Sequence, residues 1–306
     1  MRFTIAIPTY NRRNLIERTL QSLEKQTYKD FEVIIADDGS TDDTESFIKD
    51  YSHTSDMKIR YFWKENGGKH TALNLAIEKA EGELFLIVDS DDWMLPHGLE
   101  TLNQTWEGIP EEDRMSFSGV MARAKEPDGT FIGKPFPADP FISSYVDFHF
   151  ISGISKGPYK DCVDFIRTDL IRKYRYPELK EAKFVPEAYI TDQIGMNHKL
   201  FCISDVVEIK EYQEEGITKN IDAFKTKNAH GMIAYYGILL REVFPKSEEI
   251  VPLASKIYIW YRYLEFRMLT GQKIDPEEMN LLGWSVKALS PLIGRLHRAR
   301  KKRMGS

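Results

Sequence analysis

The chain has 306 residues, 42% of them hydrophobic and 29% charged, with a formal charge of −5 at pH 7. That length buries a full core and allows one large domain or two, and the acidic balance argues against nucleic acid as the general partner. Two cysteines beside apolar residues (Cys162, Cys202), a first segment too short in apolar length for a signal peptide and no run near membrane-span length set the expectation of a cytoplasmic protein with buried thiols, rather than a disulfide or zinc framework.

Phe3 to Ile7 reads as a strand stopped by Pro8, then a helix with Leu15, Ile16, Leu20 and Leu23 at helical spacing, capped by Thr9 or Asn11. Phe31 to Ala36 is a second strand, ending at Asp37-Asp38-Gly39-Ser40-Thr41-Asp42 before a helix to about Tyr51. Ile59 to Phe62 is a third. Glu65-Asn66-Gly67-Gly68-Lys69-His70 leads into a helix with Leu73, Ala76, Ile77 and Ala80 on one face. Leu84 to Val88, apolar throughout, reads as a strand buried on both faces that runs into Asp89-Ser90-Asp91-Asp92. Four strand–helix alternations with short connections predict βαβ units and a doubly wound, mostly parallel α/β sheet.

The pattern then loosens. Residues 114–125 read as a strand, a Gly/Pro-rich stretch runs to about Pro140, and 151–158 is loop-like. Cys162 to Ile166 and the pair Phe201–Ile203 and Val206–Ile209 read as strands, with a short helix at Asp169–Tyr174. From about Ala223 the chain turns helical and aromatic.

Ligands in an open parallel sheet bind at the carboxyl ends of strands, and three acids crowded there repel one another unless a cation joins them. Read alone, Asp89-Ser90-Asp91-Asp92 is equally a cap-and-turn cluster before a helix opened by Pro96. Asp38 can accept a hydrogen bond from a base or ribose, or simply form a turn; Tyr10 can lie on a planar base, or only enter a helix; Gly67-Gly68 allows close backbone approach to a phosphate. Neither Gly-x-Gly-x-x-Gly nor a Walker sequence is present, which excludes the usual dinucleotide and P-loop enzymes.

Together, Pro8-Thr9-Tyr10-Asn11-Arg12, Asp37-Asp38-Gly39-Ser40-Thr41-Asp42, Asn66-Gly67-Gly68 with Ala72-Leu73-Asn74, and Asp89-Ser90-Asp91-Asp92 occur in an order that closely resembles the family 2 glycosyltransferases of the GT-A fold. The resemblance is strong over the first hundred residues, patchier to about 220 and absent beyond. It implies a GT-A domain over 1–220, with 1–95 the nucleotide-sugar half and 96–220 the acceptor half, and a helical extension over 221–306. It further implies a UDP-sugar donor with Mn²⁺ or Mg²⁺ and inversion at the anomeric carbon. Asp38 would accept the uracil N3–H, Tyr10 would stack on the ring, and Pro8 and Thr9 would line its pocket. Asn66, Gly67 and Lys69 would approach the diphosphate, Asp91 would hold the metal, and Asp89 ribose or the metal, with Asp92 a supporting acid. Asp192, in Pro186-Glu187-Ala188-Tyr189-Ile190-Thr191-Asp192-Gln193, is the matching catalytic base; read without the resemblance, Thr191 or Asp192 caps a helix over 193–199. Lys210 to Thr218 resembles a later family segment without most of its basic residues, and takes no role.

The stretch Arg295–Arg303 carries six Lys or Arg and no acid, leaving −11 for the remainder. With Leu289, Leu292, Ile293 and Leu296 at helical spacing it reads either as a solvated tail or as a surface for anionic lipid. The expected partners are a saccharide or polyprenyl-linked acceptor in bacterial surface polysaccharide synthesis, at the inner membrane face. Alternatives are a sugar-phosphate nucleotidyltransferase, or a silent sugar-nucleotide-binding protein.

Overall fold

A computed structural model describes residues 1–152, 162–213, 221–274 and 278–289. The first half is built as the alternation predicts. β1 (Phe3–Thr9), α1 (Arg13–Glu24), β2 (Phe31–Asp37), α2 (Thr44–Thr54), β3 (Lys58–Trp63), α3 (Lys69–Lys79) and β4 (Leu84–Ile87) follow in turn. β5 (Trp93–Met94), α4 (Gly98–Gly108), α5 (Glu111–Arg114) and β6 (Phe117–Lys125) lead into the second half. There β7 (Phe141–Ser143), a π-helical turn (Asp147–Ile151), β8 (Val163–Arg167), α6 (Thr168–Ile171), α7 (Ala188–Ile194) and β9 (Lys199–Ile209) complete the sheet. The helical extension holds α8 (Ile221–Lys227), α9 (Ala229–Ile238), a π-helical segment (Leu239–Val243), α10 (Phe244–Lys246) and α11 (Leu253–Thr270), then a helix over 281–289.

The nine strands form one sheet in the order β3-β2-β1-β4-β8-β6-β9-β5, with β7 on β9. β1 pairs parallel with β2 and β4, and β2 with β3. The expectation of a mostly parallel sheet holds for this half. In the second half β8 runs antiparallel to both β4 and β6, and β5 and β7 run antiparallel to β9, so only β6 and β9 pair in parallel. Parallel pairing needs a crossover connection, and the described part of the segment between β7 and β8 forms a π-helical turn.

Alternation along the strands fills two layers. Ile5, Ile7, Val33, Ile35, Leu84 and Leu86 pack with Ile16, Leu20, Leu99 and Trp106 of α1 and α4. Ala6, Ile34, Ala36 and Phe85 face the other way, onto Leu73, Ala76 and Ile77 of α3 and Ile190 and Ile194 of α7. A third cluster joins α9 and α11 to Val146 and Phe150.

Three local expectations are corrected. Pro8 does not stop β1; it stays in register with Ala36. Ala6 accepts from Val88 on the β4 side, so alternation turns Pro8 to that same side, past the end of the β1/β4 ladder, where a missing N–H costs no hydrogen bond. Neither Thr9 nor Asn11 caps α1. Asn11 has φ 51° and its side chain accepts from Thr41 N at 2.8 Å, tying two loops together. The helix expected over 193–199 is α7, so Thr191 and Asp192 lie inside it and cap nothing, and Lys199 opens β9.

Candidate active site

The order β3-β2-β1-β4 reverses direction between β1 and β4, and beyond the carboxyl ends of these two strands lies a cleft of about 400 Å³. Pro8, Thr9, Tyr10 and Arg12 form one wall; Asp89 to Asp92 form the floor; Lys69, Glu187 and Lys210–Gln213 close the far side. Tyr10 is 48% exposed at the rim. Thr9 is buried, and its hydroxyl has no hydrogen-bond partner among the described residues.

The acidic turn is held from three directions. β4 ends at Ile87, and β5 pairs Trp93 with Ile209 and Met94 with Glu208, pinning the turn beside Lys210. From α1, Arg18 donates to Asp91 O at 2.8 Å and to Glu211 at 2.6 Å while lying over the Trp93 ring, and Thr19 donates to Asp92 O at 2.7 Å. Asp89, Asp91 and Asp92 can place one carboxylate oxygen each within 4.8 Å of one another. Asp89 pairs with Lys69 at 2.5 Å; burial opposes its charge, but Lys69 and Lys210 hold its carboxyl below the usual range. Asp92 stands 3.5 Å from Lys210, yet burial, with Glu208 and Asp89 nearby, pushes it up to about 8. Asp91 has no Lys or Arg at ion-pair distance among the described residues, and burial and the Asp89 charge raise its pKa. Three carboxylates so close together form an all-oxygen set that could hold a hard divalent cation.

Asp38 lines the cleft and holds the loop before α3. Oδ1 accepts from Lys64 at 2.9 Å and Gly67 N at 2.8 Å, and Oδ2 from Gly68 N at 2.7 Å and Asn66 at 3.1 Å. Contact with a base N–H would compete with these donors. Asn66 and Gly67 donate to Asp38 and are not among the residues that line the cleft. His70 is buried edge-on to Tyr176, and burial pushes it down to about 4.

Lys69, the first residue of α3, reaches into the cleft and bridges Asp89 and Glu187, the latter at 2.7 Å. Burial opposes its charge, but the two carboxylates raise its pKa. Asp192 does not reach the cleft. It is fully buried, with Oδ1 2.6 Å from His149 Nδ1 and Oδ2 accepting from Tyr235 at 2.8 Å. Glu187, just before α7, is the acid of that stretch which lines the cleft, its side chain 45% exposed.

Sequence reading thus passed over Glu187, Arg12 and Lys210. Each sat inside a motif already noted, and a charged residue within three positions past a strand end was the available signal for Arg12 and Lys210. Cys162 is half-buried at the cleft and Cys202 buried, and the two do not form a disulfide with each other. The basic stretch 295–303, most of 151–158 and residues 214–218 lie outside the described residues. Among the described residues no helix is long and apolar enough to cross a membrane.

Residues 4–113 match the family model for glycosyl transferase family 2. The chain is 35% identical over 105 residues to the GalNAc(5)-diNAcBac-PP-undecaprenol β-1,3-glucosyltransferase of Campylobacter jejuni, covering 34% of each chain. It is 38% identical over 96 residues to the poly(ribitol-phosphate) β-N-acetylglucosaminyltransferase TarS of Staphylococcus aureus, covering 31% of this chain and 17% of TarS. The match thus spans about a third and about a sixth of the length of these two relatives. In fold, a crystal structure of S. aureus TarS superposes with TM-score 0.60 at 22% identity, over all of this chain and 54% of that one. A mannosyltransferase from Pyrobaculum calidifontis in complex with GDP-Man and Mn²⁺ gives TM-score 0.55 at 19% identity, over 95% of this chain and 80% of that one. These likenesses show the doubly wound GT-A fold with C-terminal helices.

Proposed function

We propose, from the match of residues 4–113 to the family model for glycosyl transferase family 2, that the chain moves a sugar from a UDP-sugar to a hydroxyl of a saccharide or lipid-linked saccharide, with a divalent metal and with inversion. The observation that carries this reading is the acidic turn Asp89–Asp92, clamped at the sheet's switch point with no Lys or Arg at ion-pair distance from Asp91 among the described residues and Tyr10 at the opposite rim. UDP as the carrier finds support in TarS, solved with UDP and with UDP-GlcNAc.

In this reading Tyr10, Pro8 and Thr9 hold the base, and Arg12, Lys69 and Lys210 face the diphosphate. A bound Mn²⁺ or Mg²⁺ would supply charge neutralisation for the departing diphosphate without proton transfer. Lys69, drawn to phosphate oxygens, releases Glu187 from its ion pair. Glu187 then takes the acceptor hydroxyl proton as that oxygen bonds to the anomeric carbon, while the bond to UDP breaks and its electron pair leaves with the diphosphate. The base is placed at Glu187 rather than Asp192 because only Glu187 lines the cleft. The cationic stretch 295–303 would hold the enzyme on anionic lipid at the inner membrane face, near polyprenyl-linked acceptors in surface polysaccharide synthesis.

The deciding experiment is a UDP-sugar hydrolysis screen with and without Mn²⁺, because slow hydrolysis needs no acceptor. UDP release that requires the metal is the expected result; metal-dependent UDP binding with no release under any donor and acceptor would identify a silent binding protein instead.

A further inference from the structure

A second, smaller cavity of about 70 Å³ opens from the cleft, and the two share Lys69, Asp89, Cys162, Glu187 and Lys210 at their junction. Its walls come from both sides of the sheet's second layer. Phe85 and Ile87 of β4, Val163 and Ile166 of β8 and Ile171 of α6 are apolar; Asp164 of β8, Tyr176 and Thr191 of α7 are the polar residues away from the junction. The proposed catalytic steps use neither Asp164 nor Thr191.

Volume and chemistry narrow what fits. One water needs roughly 10–15 Å³ by such a measure, so the cavity holds several heavy atoms, more than a lone hydroxyl supplies. A hydroxyl there would leave five apolar side chains facing water, whereas a methyl group covers them. The junction also bears carboxylates that accept an N–H and ammonium groups that donate to a carbonyl. Position narrows it further. The junction is formed by Asp89 and Lys69, at the ion and diphosphate end of the cleft, and of a sugar's substituents the one on C2 lies next to the anomeric carbon that carries the diphosphate.

Resting on the transferase reading, we propose that this cavity is a subsite for a 2-acetamido group, and that the chain therefore selects nucleotide-activated N-acetylhexosamines over plain hexoses. The methyl packs on Phe85, Ile166 and Ile171, the amide N–H faces Glu187 or Asp164, and the carbonyl faces Lys69 or the Thr191 hydroxyl.

The test is competition binding to the full chain with Mn²⁺, using UDP, UDP-glucose and UDP-N-acetylglucosamine. UDP-N-acetylglucosamine should bind about tenfold or more tighter than UDP-glucose, the scale on which apolar pockets discriminate such groups. Ile171→Phe fills the cavity from α6 and Thr191→Leu from α7; either should bring the ratio to about one or below, with UDP affinity within about twofold of wild type. A wild-type ratio near one, with UDP bound, overturns the subsite and leaves the transferase reading standing. An unchanged ratio in the variants that retain UDP binding also overturns it. No UDP binding by the wild-type chain overturns both readings together.

Discussion

Asp91 is the one acid of the floor with no Lys or Arg at ion-pair distance among the described residues, so it is the residue whose charge most needs an external partner. Asp91→Asn should lower metal-dependent UDP release by about 100-fold or more, with Tm within about 2 °C of wild type, because Arg18 clamps the turn through the Asp91 backbone oxygen. Calorimetry with Mn²⁺ and UDP checks the binding loss separately. Glu187 and Asp192 make a sharper pair. Glu187→Gln should cut kcat by about 10²–10⁴-fold with the fold intact, the range for a positioned base. Asp192→Asn should instead cost stability, about 1–3 kcal/mol, because a buried acceptor of two hydrogen bonds is disturbed. The sign of its pH dependence follows from His149. Burial lowers that imidazole, but Asp192 raises it above its ordinary 6.5, with Asp164 adding to the rise. The pair's contribution is full below 6.5 and is lost as pH rises through the raised value, so Asp192→Asn should flatten the fall of Tm across that range. A kcat collapse in Asp192→Asn with unchanged Tm would reverse the assignment.

At the scale of elements, the site depends on how loops are tied rather than on strand ends alone. The Asp38 carboxylate gathers Lys64, Asn66, Gly67 and Gly68, so the loop after β3 is folded against the loop after β2 before α3 begins. Gly68 has φ 101°, and a Cβ there would stand 2.0 Å from Lys183 O. Gly68→Ala should therefore destabilise the chain by more than about 2 kcal/mol by denaturant unfolding and displace Lys69, raising KM for the donor. The motif positions in these loops were legible because turns need particular residue types. Their roles were not, because an acid that accepts from a ligand and one that accepts from its own loop have the same one-letter pattern.

Across the whole molecule, the helical extension packs against the π-helical turn and α7 of the second half. Tyr235 of α9 donates to Asp192 of α7, Ser255 of α11 donates to Phe150 O, and Val146 and Phe150 pack with the helices of the third cluster. Residues 1–220 alone would expose that face and leave Asp192 short of a partner. Such a fragment should show a lower Tm and greater aggregation than the full chain, by scanning calorimetry and light scattering; equal stability would make 221–306 an independent unit. Sequence alone determined the strand–helix alternation, the doubly wound class and the acidic turn at the end of β4, because burial periodicity and turn chemistry are local properties written in neighbouring residues. Only the tertiary structure decided which acid of Pro186–Gln193 meets the cleft, that Asp38 gathers the loop after β3, and that β8 enters the sheet antiparallel. Each of these depends on partners tens of residues away, Tyr235 for Asp192 and Gly68 for Asp38, and no local pattern specifies which distant donor will fill a carboxylate.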